Sequence, residues 1–196
     1  MAERKARVTR ETAETTVSAE INIDGTGRFQ ISTGIRMFDH LLAQLAQHGV
    51  FDIASSASGP DQHHVVEDVA ICLGKAFNQA LGDKQGLNRM ADATVPMDEA
   101  LSSVAVDIGG RGYSVVETAL NETVVGDMAS DLVRHFLASF AAEARLNLHA
   151  RVLQGINDHH KAESLFKALG RALDKATRID ERLLGRIPST KETIES

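Results

Sequence analysis

The pattern of apolar and polar residues predicts a hairpin near the start of the chain. Between Thr12 and Ile23 the residues alternate between apolar and polar, which is typical of a strand with one buried face. The turn sequence Asp24-Gly25-Thr26-Gly27 follows, and residues 28–32 return as a second strand. The chain is therefore expected to open with two paired strands.

A helical pattern replaces the alternation after the hairpin. Apolar residues recur at helical spacing from Phe38 to Leu45, and His48-Gly49 ends the predicted helix. Residues 50–54 predict a short strand, which leads into a long helix that ends at Gly82. The buried stripe of that helix consists of Val66, Val69, Ala70, Leu73 and Phe77.

The second half of the chain repeats this order, with strands near 104–108, 113–118 and 146–153 and helices near 133–140 and 162–173. The core positions of the two long helices match 96 residues apart, so that Gly74 corresponds to Gly170. We predict one α+β domain over 1–196, a two-layer sandwich from a tandem duplication of a ββαβα half-domain, with helices on one face of each sheet. The pseudo-repeats cover about 7–92 and 93–180, and a C-terminal tail, 181–196, is expected to bind phosphate.

The sequence His-His-x-x-Glu occurs once in each repeat, at 63–67 and at 159–163. Each copy is preceded by a histidine in an apolar stretch, His40 in the first repeat and His135 in the second. Imidazole and carboxylate groups together suit Mn, Fe, Co, Ni or Zn. The pattern therefore predicts a duplicated transition-metal site, whose candidate ligands are His40, His63, His64, Glu67, His135, His159, His160 and Glu163.

Helix geometry divides these ligands between two ions. Residues i and i+4 share a helix face, so His63 with Glu67 and His159 with Glu163 can each hold one metal. The adjacent histidine is turned about 100° away, which directs it to a different ion. The eight ligands divide into two sites of three histidines and one glutamate, each with open positions for a substrate.

Several residues near the motifs receive structural predictions. His48 and His149 lie outside the pattern and are read as capping or surface histidines. Asp61 and Asn157 are candidate N-caps of the two long helices, and Asp68 is a candidate for orienting a ligand.

A second candidate site lies in the tail. Ser189, Thr190 and Lys191 follow Pro188, and their hydroxyl and ammonium groups all donate hydrogen bonds to phosphate oxygens. Arg89 and Arg111 stand near glycines and offer guanidinium groups to the same anion. Taken alone, both features also fit a polar terminus and ordinary surface charge.

Composition narrows the classes of function. The net charge of −6 and the absence of a basic run argue against nucleic acid as a partner. The sequence contains no apolar run of membrane-spanning length and no signal-peptide core, and its single cysteine, Cys72, lies in an apolar stretch. We expect a cytoplasmic protein with a reduced, buried thiol and no membrane partner.

The motifs, in this order, closely resemble the imidazoleglycerol-phosphate dehydratase family of histidine biosynthesis, in its monofunctional form. The resemblance runs from about Arg7 to Lys191 and rests most heavily on the doubled His-His-x-x-Glu and the terminal Pro-Ser-Thr-Lys. Three positions depart from the family pattern: Val65 stands where Thr is usual, Gly112 where Pro is usual, and Glu192 where Gly is common. None of them removes a ligand, although Glu192 is expected to affect the path of the tail.

The resemblance implies a manganese enzyme with two Mn²⁺ per active site and twenty-four subunits built from trimers. It implies the same eight metal ligands and assigns the phosphate to Arg89, Arg111, Ser189 and Lys191, with Gln44 and Lys167 as further contributors. It also places Glu14 at the reacting carbons of the substrate.

The implied reaction removes water from D-erythro-imidazole-glycerol phosphate to give imidazole-acetol phosphate. The proton that leaves has no adjacent carbonyl, so enolate chemistry is not accessible. A di-metal-bound imidazolate solves this problem, because it can expel hydroxide to give a diazafulvene-like intermediate. Glu14 is then expected to act in the proton transfer from the neighbouring carbon, before the enol becomes the ketone.

Two other functions compete with this reading. A di-metal hydrolase would favour bridging carboxylates, whereas here histidines outnumber carboxylates three to one among the candidate ligands. A metal store or sensor accounts for the histidines but leaves the phosphate-binding tail unexplained. Formation of the ketone from imidazoleglycerol phosphate would distinguish the enzyme from both.

Overall fold

A computed structural model describes residues 3–194 of the chain. Within these residues the first half runs β1 (Lys5–Glu11), β2 (Thr16–Asn22), β3 (Phe29–Ser32), α1 (Arg36–Gly49), β4 (Asp52–Ser58) and α2 (Gln62–Ala80). The second half runs β5 (Met90–Met97), β6 (Ala100–Asp107), β7 (Tyr113–Glu117), β8 (Val124–Val125), β9 (Met128–Ala129), α3 (Asp131–Glu143), β10 (Asn147–Gln154) and α4 (Asp158–Thr177). A short 3₁₀ turn, Glu181–Leu183, follows α4.

The two halves form two four-stranded sheets of identical topology. Their strand orders are β1-β2-β4-β3 and β5-β6-β10-β7. In each sheet the last pair is parallel, β3 with β4 and β7 with β10, and the other pairs are antiparallel. This correspondence of strand order and direction confirms the tandem duplication and the α+β fold class.

The helices cover one face of each sheet and meet each other in the middle of the molecule. Helix α2 packs on β1 and β2, and α4 packs on β5 and β6. Across the middle, α1 packs against α4 and α2 against α3, so each helix pair joins the two halves. The predicted helical stripes are fully buried there, and Phe38 contacts Phe136 edge-on with ring centroids 5.3 Å apart. Among the described residues, no helix is long and apolar enough to span a membrane.

The matched glycines Gly74 and Gly170 lie where these helix pairs cross. A Cβ on Gly74 would stand 2.8 Å from the carbonyl oxygen of Phe140 in α3. A Cβ on Gly170 would stand 2.8 Å from both the backbone nitrogen of Gly49 and the carbonyl oxygen of Leu45 in α1. Because a side chain would force the helices apart, the repeated glycine keeps the histidine-bearing helices close.

The structure corrects the predicted half-domain in two respects. The two strands of the predicted hairpin do not pair with each other, because β4 lies between β2 and β3 and pairs with both. Each repeat also begins with an additional strand: β1 and β5 each lie at one edge of their sheet, and the boundary predicted near 92/93 falls inside β5. Both were missed because edge strands are largely exposed: β1 is mostly charged, and β5 contains Pro96. The first predicted strand also begins later, since residues 12–15 form a turn closed by a 2.9 Å hydrogen bond from Thr12 N to Thr15 O.

The second repeat contains about ten extra residues, which include the β8–β9 hairpin. Asp127 of this hairpin accepts hydrogen bonds from the backbone N–H groups of Arg36 and Met37, at 3.1 and 2.8 Å. It therefore caps α1, whose own N-cap residue, Ile35, makes no side-chain cap bond. The insertion thus fixes the start of the helix that carries His40.

Candidate metal and active site

The structure brings six of the predicted ligands together in two clusters of identical composition. His63, Glu67 and His135 form one cluster, and His40, His159 and Glu163 form the other. Within each cluster the candidate ligand atoms all lie within 4.8 Å of one another. Each cluster combines two helices from different repeats, α2 with α3 or α1 with α4, and so depends on the helix pairs described above.

The cluster of His40, His159 and Glu163 is organised around a buried carboxylate. Glu163 Oε2 lies 2.8 Å from His40 Nε2 and 3.2 Å from His159 Nε2, while Oε1 is 2.6 Å from the ammonium of Lys167. Burial alone would raise the pKa of Glu163, but the hydrogen bonds from Lys167 and His40 and their positive charges lower it to about 2. The carboxylate is therefore ionised at neutral pH, as a metal ligand must be.

The second cluster contains a buried nitrogen that has no partner. The rings of His63 and His135 stack with centroids 4.4 Å apart, and His135 Nε2 lies 3.5 Å from Glu67 Oε1. Among the described residues, this nitrogen is buried without a hydrogen-bond partner. Buried polar atoms are normally satisfied, so the orphaned nitrogen, with an imidazole and a carboxylate beside it, fits a divalent metal ion.

The second histidine of each motif faces away from the cluster beside it, as helix geometry predicts. The ring of His64 makes an angle of 81° with that of His63, and the ring of His160 an angle of 86° with that of His159. His64 Nδ1 lies 3.3 Å from Glu14 Oε2, and His160 Nδ1 lies 2.8 Å from Glu99 Oε2. Within the described residues of one chain each cluster therefore contains two histidines and one glutamate, and the third histidine of each predicted set stays a prediction.

The predicted N-caps are confirmed at both motifs. Asp61 Oδ1 accepts a 2.7 Å hydrogen bond from the backbone N–H of His63. Asn157 Oδ1 accepts from the N–H groups of His159 and His160, at 2.9 and 3.2 Å. Because each cap is bonded to the histidines themselves, it fixes the backbone from which the ligands project.

Asp68 does not orient a histidine, contrary to the expectation from its position after Glu67. Its carboxylate accepts hydrogen bonds from Arg10 Nε and from the hydroxyl of Thr15, which lie on either side of the turn that contains Glu14. Glu14 itself lies in this turn and not in the strand, and its side chain is 63% exposed.

The phosphate residues predicted in the tail come together with the two arginines. Arg89, Arg111, Ser189, Thr190 and Lys191 line a cavity of about 230 Å³. The Arg89 guanidinium donates to Asp107 at 2.6 and 3.1 Å and to the carbonyl oxygen of Pro188 at 2.7 Å. These bonds use three of its five N–H donors and orient the others, so the cavity is suited to an anion.

Four further residues singled out in the sequence lie elsewhere in the chain. Lys167 is bonded to Glu163 and does not line the tail cavity, and Gln44 lies on α1 one turn after His40. Both are thus near the metal cluster of α1 and α4. His48 and His149 belong to neither cluster, in agreement with their structural reading.

Sequence reasoning missed Glu99, which holds the second motif in place. Its carboxylate accepts hydrogen bonds from the N–H groups of Ile156 and Asn157, at 3.1 and 2.8 Å, and from His160. The hydrogen bond from the Asn157 N–H, with those from His160 and Ile156, lowers the pKa of Glu99 to about 2, and Glu99 in turn raises the pKa of His160. The duplication could have pointed to Glu99, because it occupies the position between β5 and β6 that Glu14 occupies between β1 and β2.

Similarity to known proteins agrees with this geometry. The sequence profile of the family described as "Imidazoleglycerol-phosphate dehydratase" matches residues 33–173, a range that contains both histidine motifs. The chain belongs to the imidazoleglycerol-phosphate dehydratase family. An imidazoleglycerol-phosphate dehydratase from Dehalococcoides mccartyi strain CBDB1 is 60% identical over 196 residues, which is all of both chains. One from Methanothermobacter thermautotrophicus is 49% identical over 96% of both chains.

Solved structures of the family share the fold. The imidazoleglycerol-phosphate dehydratase of Staphylococcus aureus superposes with a TM-score of 0.83 and 32% identity, covering 90% of this chain and 99% of the other. The Pyrococcus furiosus enzyme, solved in complex with (S)-C348, superposes with a TM-score of 0.82 and 33% identity over 95% and 99% of the two chains. The family and these relatives support a dehydratase, a hydro-lyase of histidine biosynthesis.

Two of the departures from the family pattern have local explanations. A Cβ on Gly112 would stand 2.6 Å from Cα of Ala142, so the backbone of α3 leaves no room for the proline that is usual there. Glu192, at a position where glycine is common, adopts a φ of 55°. This left-handed conformation costs a non-glycine residue roughly 1–2 kcal/mol. Glu192 nevertheless adopts it, and it is the conformation that a glycine at this position would favour.

Proposed function

We propose that this protein converts imidazoleglycerol phosphate to imidazole-acetol phosphate with two Mn²⁺ ions per active site. The observation that carries the proposal is the pair of matched His–His–Glu clusters, each assembled from both repeats. Each cluster contains a single carboxylate and Glu67 and Glu163 belong to separate clusters, an arrangement that offers no bridging carboxylate to a di-metal hydrolase. The anion cavity of the tail favours a phosphorylated substrate over a metal store.

The metal ligands are assigned by their contacts. His63, Glu67 and His135 would hold one ion, and His40, His159 and Glu163 the other. When bound, the two ions would supply Lewis acidity to the two ring nitrogens of the substrate imidazole and so favour loss of the N–H proton. Mixed imidazole and carboxylate donors are compatible with Mn²⁺ but do not select it over Fe, Co, Ni or Zn.

The chain's own residues position the substrate and move its protons. Arg89, Arg111, Ser189, Thr190 and Lys191 would bind the phosphate through charge-assisted hydrogen bonds. The resemblance adds Gln44 and Lys167 as contributors, although both lie near the candidate cluster of α1 and α4 and not in this cavity. A hydroxide leaves the carbon next to the ring, and Glu14 accepts the proton from the neighbouring carbon, so that water is lost overall. The exposed carboxylate of Glu14 makes no backbone hydrogen bond within the described residues and is free for this task.

We further propose that His64 and His160 complete the clusters of neighbouring copies. Both lie outside the clusters of their own chain, and each has its Nδ1 beside a carboxylate, Glu14 or Glu99, while His160 Nε2 also lies 3.7 Å from Asp98. A ligand set completed between chains would couple metal binding to an assembly of twenty-four subunits built from trimers. A cytoplasmic location remains a prediction from composition.

Glu14→Gln tests the chemical role, because the amide keeps the size of the side chain but cannot accept the proton. We expect turnover to fall while Mn²⁺ content and most substrate affinity are retained. Ketone formation from imidazoleglycerol phosphate and metal analysis measure the two effects separately. An unchanged kcat would remove Glu14 from the mechanism.

The ligand assignment is tested by His64→Ala and His160→Ala, with His149→Ala as the matched control. We expect the first two variants to lose Mn²⁺ and particle mass although neither residue belongs to a cluster of its own chain. The control should keep both. If His64→Ala and His160→Ala retain full metal and mass, the ligands do not cross between chains.

A further inference from the structure

Asp68 is a buried carboxylate that the proposed chemistry does not use. It lies in α2 one turn after His64, so both side chains project from the same face of the helix. Its side chain is only 9% exposed, and both oxygens are engaged, Oδ1 by Arg10 Nε at 2.7 Å and Oδ2 by the Thr15 hydroxyl. A buried carboxylate is retained at such a position only if its partners compensate for the lost hydration.

The partners of Asp68 stand at the two ends of the turn that carries Glu14. Thr12 and Thr15 close this turn, because the Thr12 hydroxyl accepts hydrogen bonds from the N–H groups of Glu14 and Thr15, at 3.1 and 3.0 Å. The turn also packs closely on the loop after β4, where a Cβ on Gly59 would stand 2.9 Å from the carbonyl oxygen of Glu14. The backbone of Glu14 is therefore fixed, while its side chain remains exposed.

The equivalent turn in the second repeat is held in a different way. Ser164 occupies the position of Asp68, 96 residues later, and its hydroxyl is bonded to that of Ser102 at 2.5 Å. The glutamate of that turn, Glu99, is itself immobilised by two backbone N–H groups and by His160. Asp68 thus anchors the turn of Glu14, whose carboxylate accepts no backbone hydrogen bond among the described residues. The turn of Glu99, whose carboxylate accepts two, has Ser164 at the position of Asp68.

We infer that Asp68 is a positioning residue for Glu14. By anchoring the turn from α2, it would hold the Glu14 carboxylate within reach of the reacting carbons, while that carboxylate keeps a single long contact among the described residues, 3.3 Å to His64 Nδ1. This inference rests on the proposed function, because it assigns Asp68 a role only if Glu14 takes part in the reaction. A carboxylate suits the role because its two oxygens can accept from two donors, whereas an amide offers one acceptor.

The test compares Asp68→Asn and Thr15→Val with the conservative variant Thr15→Ser. Asp68→Asn cannot accept from both donors, and Thr15→Val removes the hydroxyl with little change of shape. Because small misplacements of catalytic groups cost up to roughly 100-fold, we expect kcat to fall about 10- to 100-fold in both, with KM within about twofold and Mn²⁺ content unchanged. Thr15→Ser keeps the hydroxyl and should retain the wild-type kcat.

A double variant, Glu14→Gln with Asp68→Asn, separates positioning from a merely structural role. If Asp68 acts through Glu14, the double variant has the same kcat as Glu14→Gln alone, because no positioned carboxylate is left to misplace. A further loss of kcat in the double variant would overturn the inference, as would a wild-type kcat in Asp68→Asn. Thr15→Val against Thr15→Ser carries the same test if Asp68→Asn does not fold. A wild-type protein that forms no ketone would instead refute the proposed function.

Discussion

Lys161 and Asp158 form a fully buried ion pair in the first turn of α4, and its disruption gives a sharp test of the structure. Both side chains are 2% exposed, and Lys161 Nζ lies 2.8 Å from Asp158 Oδ1 and 2.9 Å from the carbonyl oxygen of Ala119. The other Asp158 oxygen accepts from the N–H groups of Asn121 and Glu122, at 2.6 and 2.7 Å. The pair therefore fastens the insertion of the second repeat to the helix that carries His159 and His160.

Lys161→Met leaves the Asp158 carboxylate buried without its cation, which is expected to cost roughly 3–5 kcal/mol. The two backbone N–H groups remain bonded to the carboxylate, so we expect a value near the lower end, about 3 kcal/mol. For a chain of this size, that loss corresponds to a decrease in Tm of roughly 6–12 °C. Adding Asp158→Asn removes the uncompensated charge but keeps an acceptor for the N–H groups, so the double variant should be more stable than Lys161→Met alone.

Scanning calorimetry at fixed protein and Mn²⁺ concentrations measures these differences, since ligand and assembly both shift Tm. Arg178→Met is the matched control, because Arg178 pairs with Asp174 at 2.6 Å beside the other end of α4 but is 64% exposed. An exposed pair contributes about 0–1 kcal/mol, so the control should change Tm by no more than roughly 4 °C. The reasoning is refuted if the double variant is less stable than Lys161→Met, because buried charge would then not be the source of the loss.

Three further predictions concern the tail, the cap and the assembly. Truncation before Pro188 should raise KM strongly while Mn²⁺ is retained, because each lost charge-assisted hydrogen bond contributes roughly 1.5–3 kcal/mol; a normal KM would contradict the phosphate assignment. Hydrogen bonds from the Met37 and Arg36 N–H groups lower the pKa of Asp127, so its stabilisation is complete above the unfolded-state pKa of about 3.9 and is lost as the pH falls through the folded-state pKa. The difference in stability between wild type and Asp127→Ala, about 1 kcal/mol at pH 7 and followed through Tm, should therefore shrink between pH 5 and pH 3, and a gap independent of pH would refute it. Chelation should reduce the particle to trimers and Mn²⁺ should restore it, as measured by light scattering, and a mass that is unchanged after verified metal loss would exclude metal-coupled assembly.

The features that could be predicted from the sequence are those that repeat or are buried. The helices were predicted because their stripes, such as Val66 to Phe77, face a core in which every such position is inaccessible to water. Four of the six clustered ligands were predicted because i and i+4 positions on one helix share a face, and His40 and His135 because a histidine precedes the motif in both repeats. Helix spacing also predicted that His64 and His160 would not join the cluster of the histidine before them, and in the structure both lie outside it.

What could not be predicted depends on contacts between elements far apart in the chain. Strand β1 is mostly charged and β5 contains Pro96, so neither has the composition of a typical strand, although their side chains alternate in burial. The pairing of His135 with Glu67 requires α3 to pack on α2, which no local pattern encodes. The contact of Lys167 with Glu163, by contrast, is an i,i+4 pair on α4, which helix spacing allows the sequence to predict.

The differences between the repeats show where the symmetry of the site ends. The two clusters match residue for residue, which suits the proposed substrate, because its imidazole ring presents two nitrogens of similar character. The phosphate and the reacting carbons occur once, and the residues proposed to contact them have counterparts that are engaged differently, as Glu99 is by backbone N–H groups. Arg4, the counterpart of Arg89 in the first repeat, donates to Asp24 and to the carbonyl oxygen of Thr177, whereas Arg89 donates to the tail at Pro188 and lines the anion cavity. The duplication thus supplies a symmetric pair of candidate metal clusters, and in the proposed function the tail and the Glu14 turn determine which way the substrate lies between them.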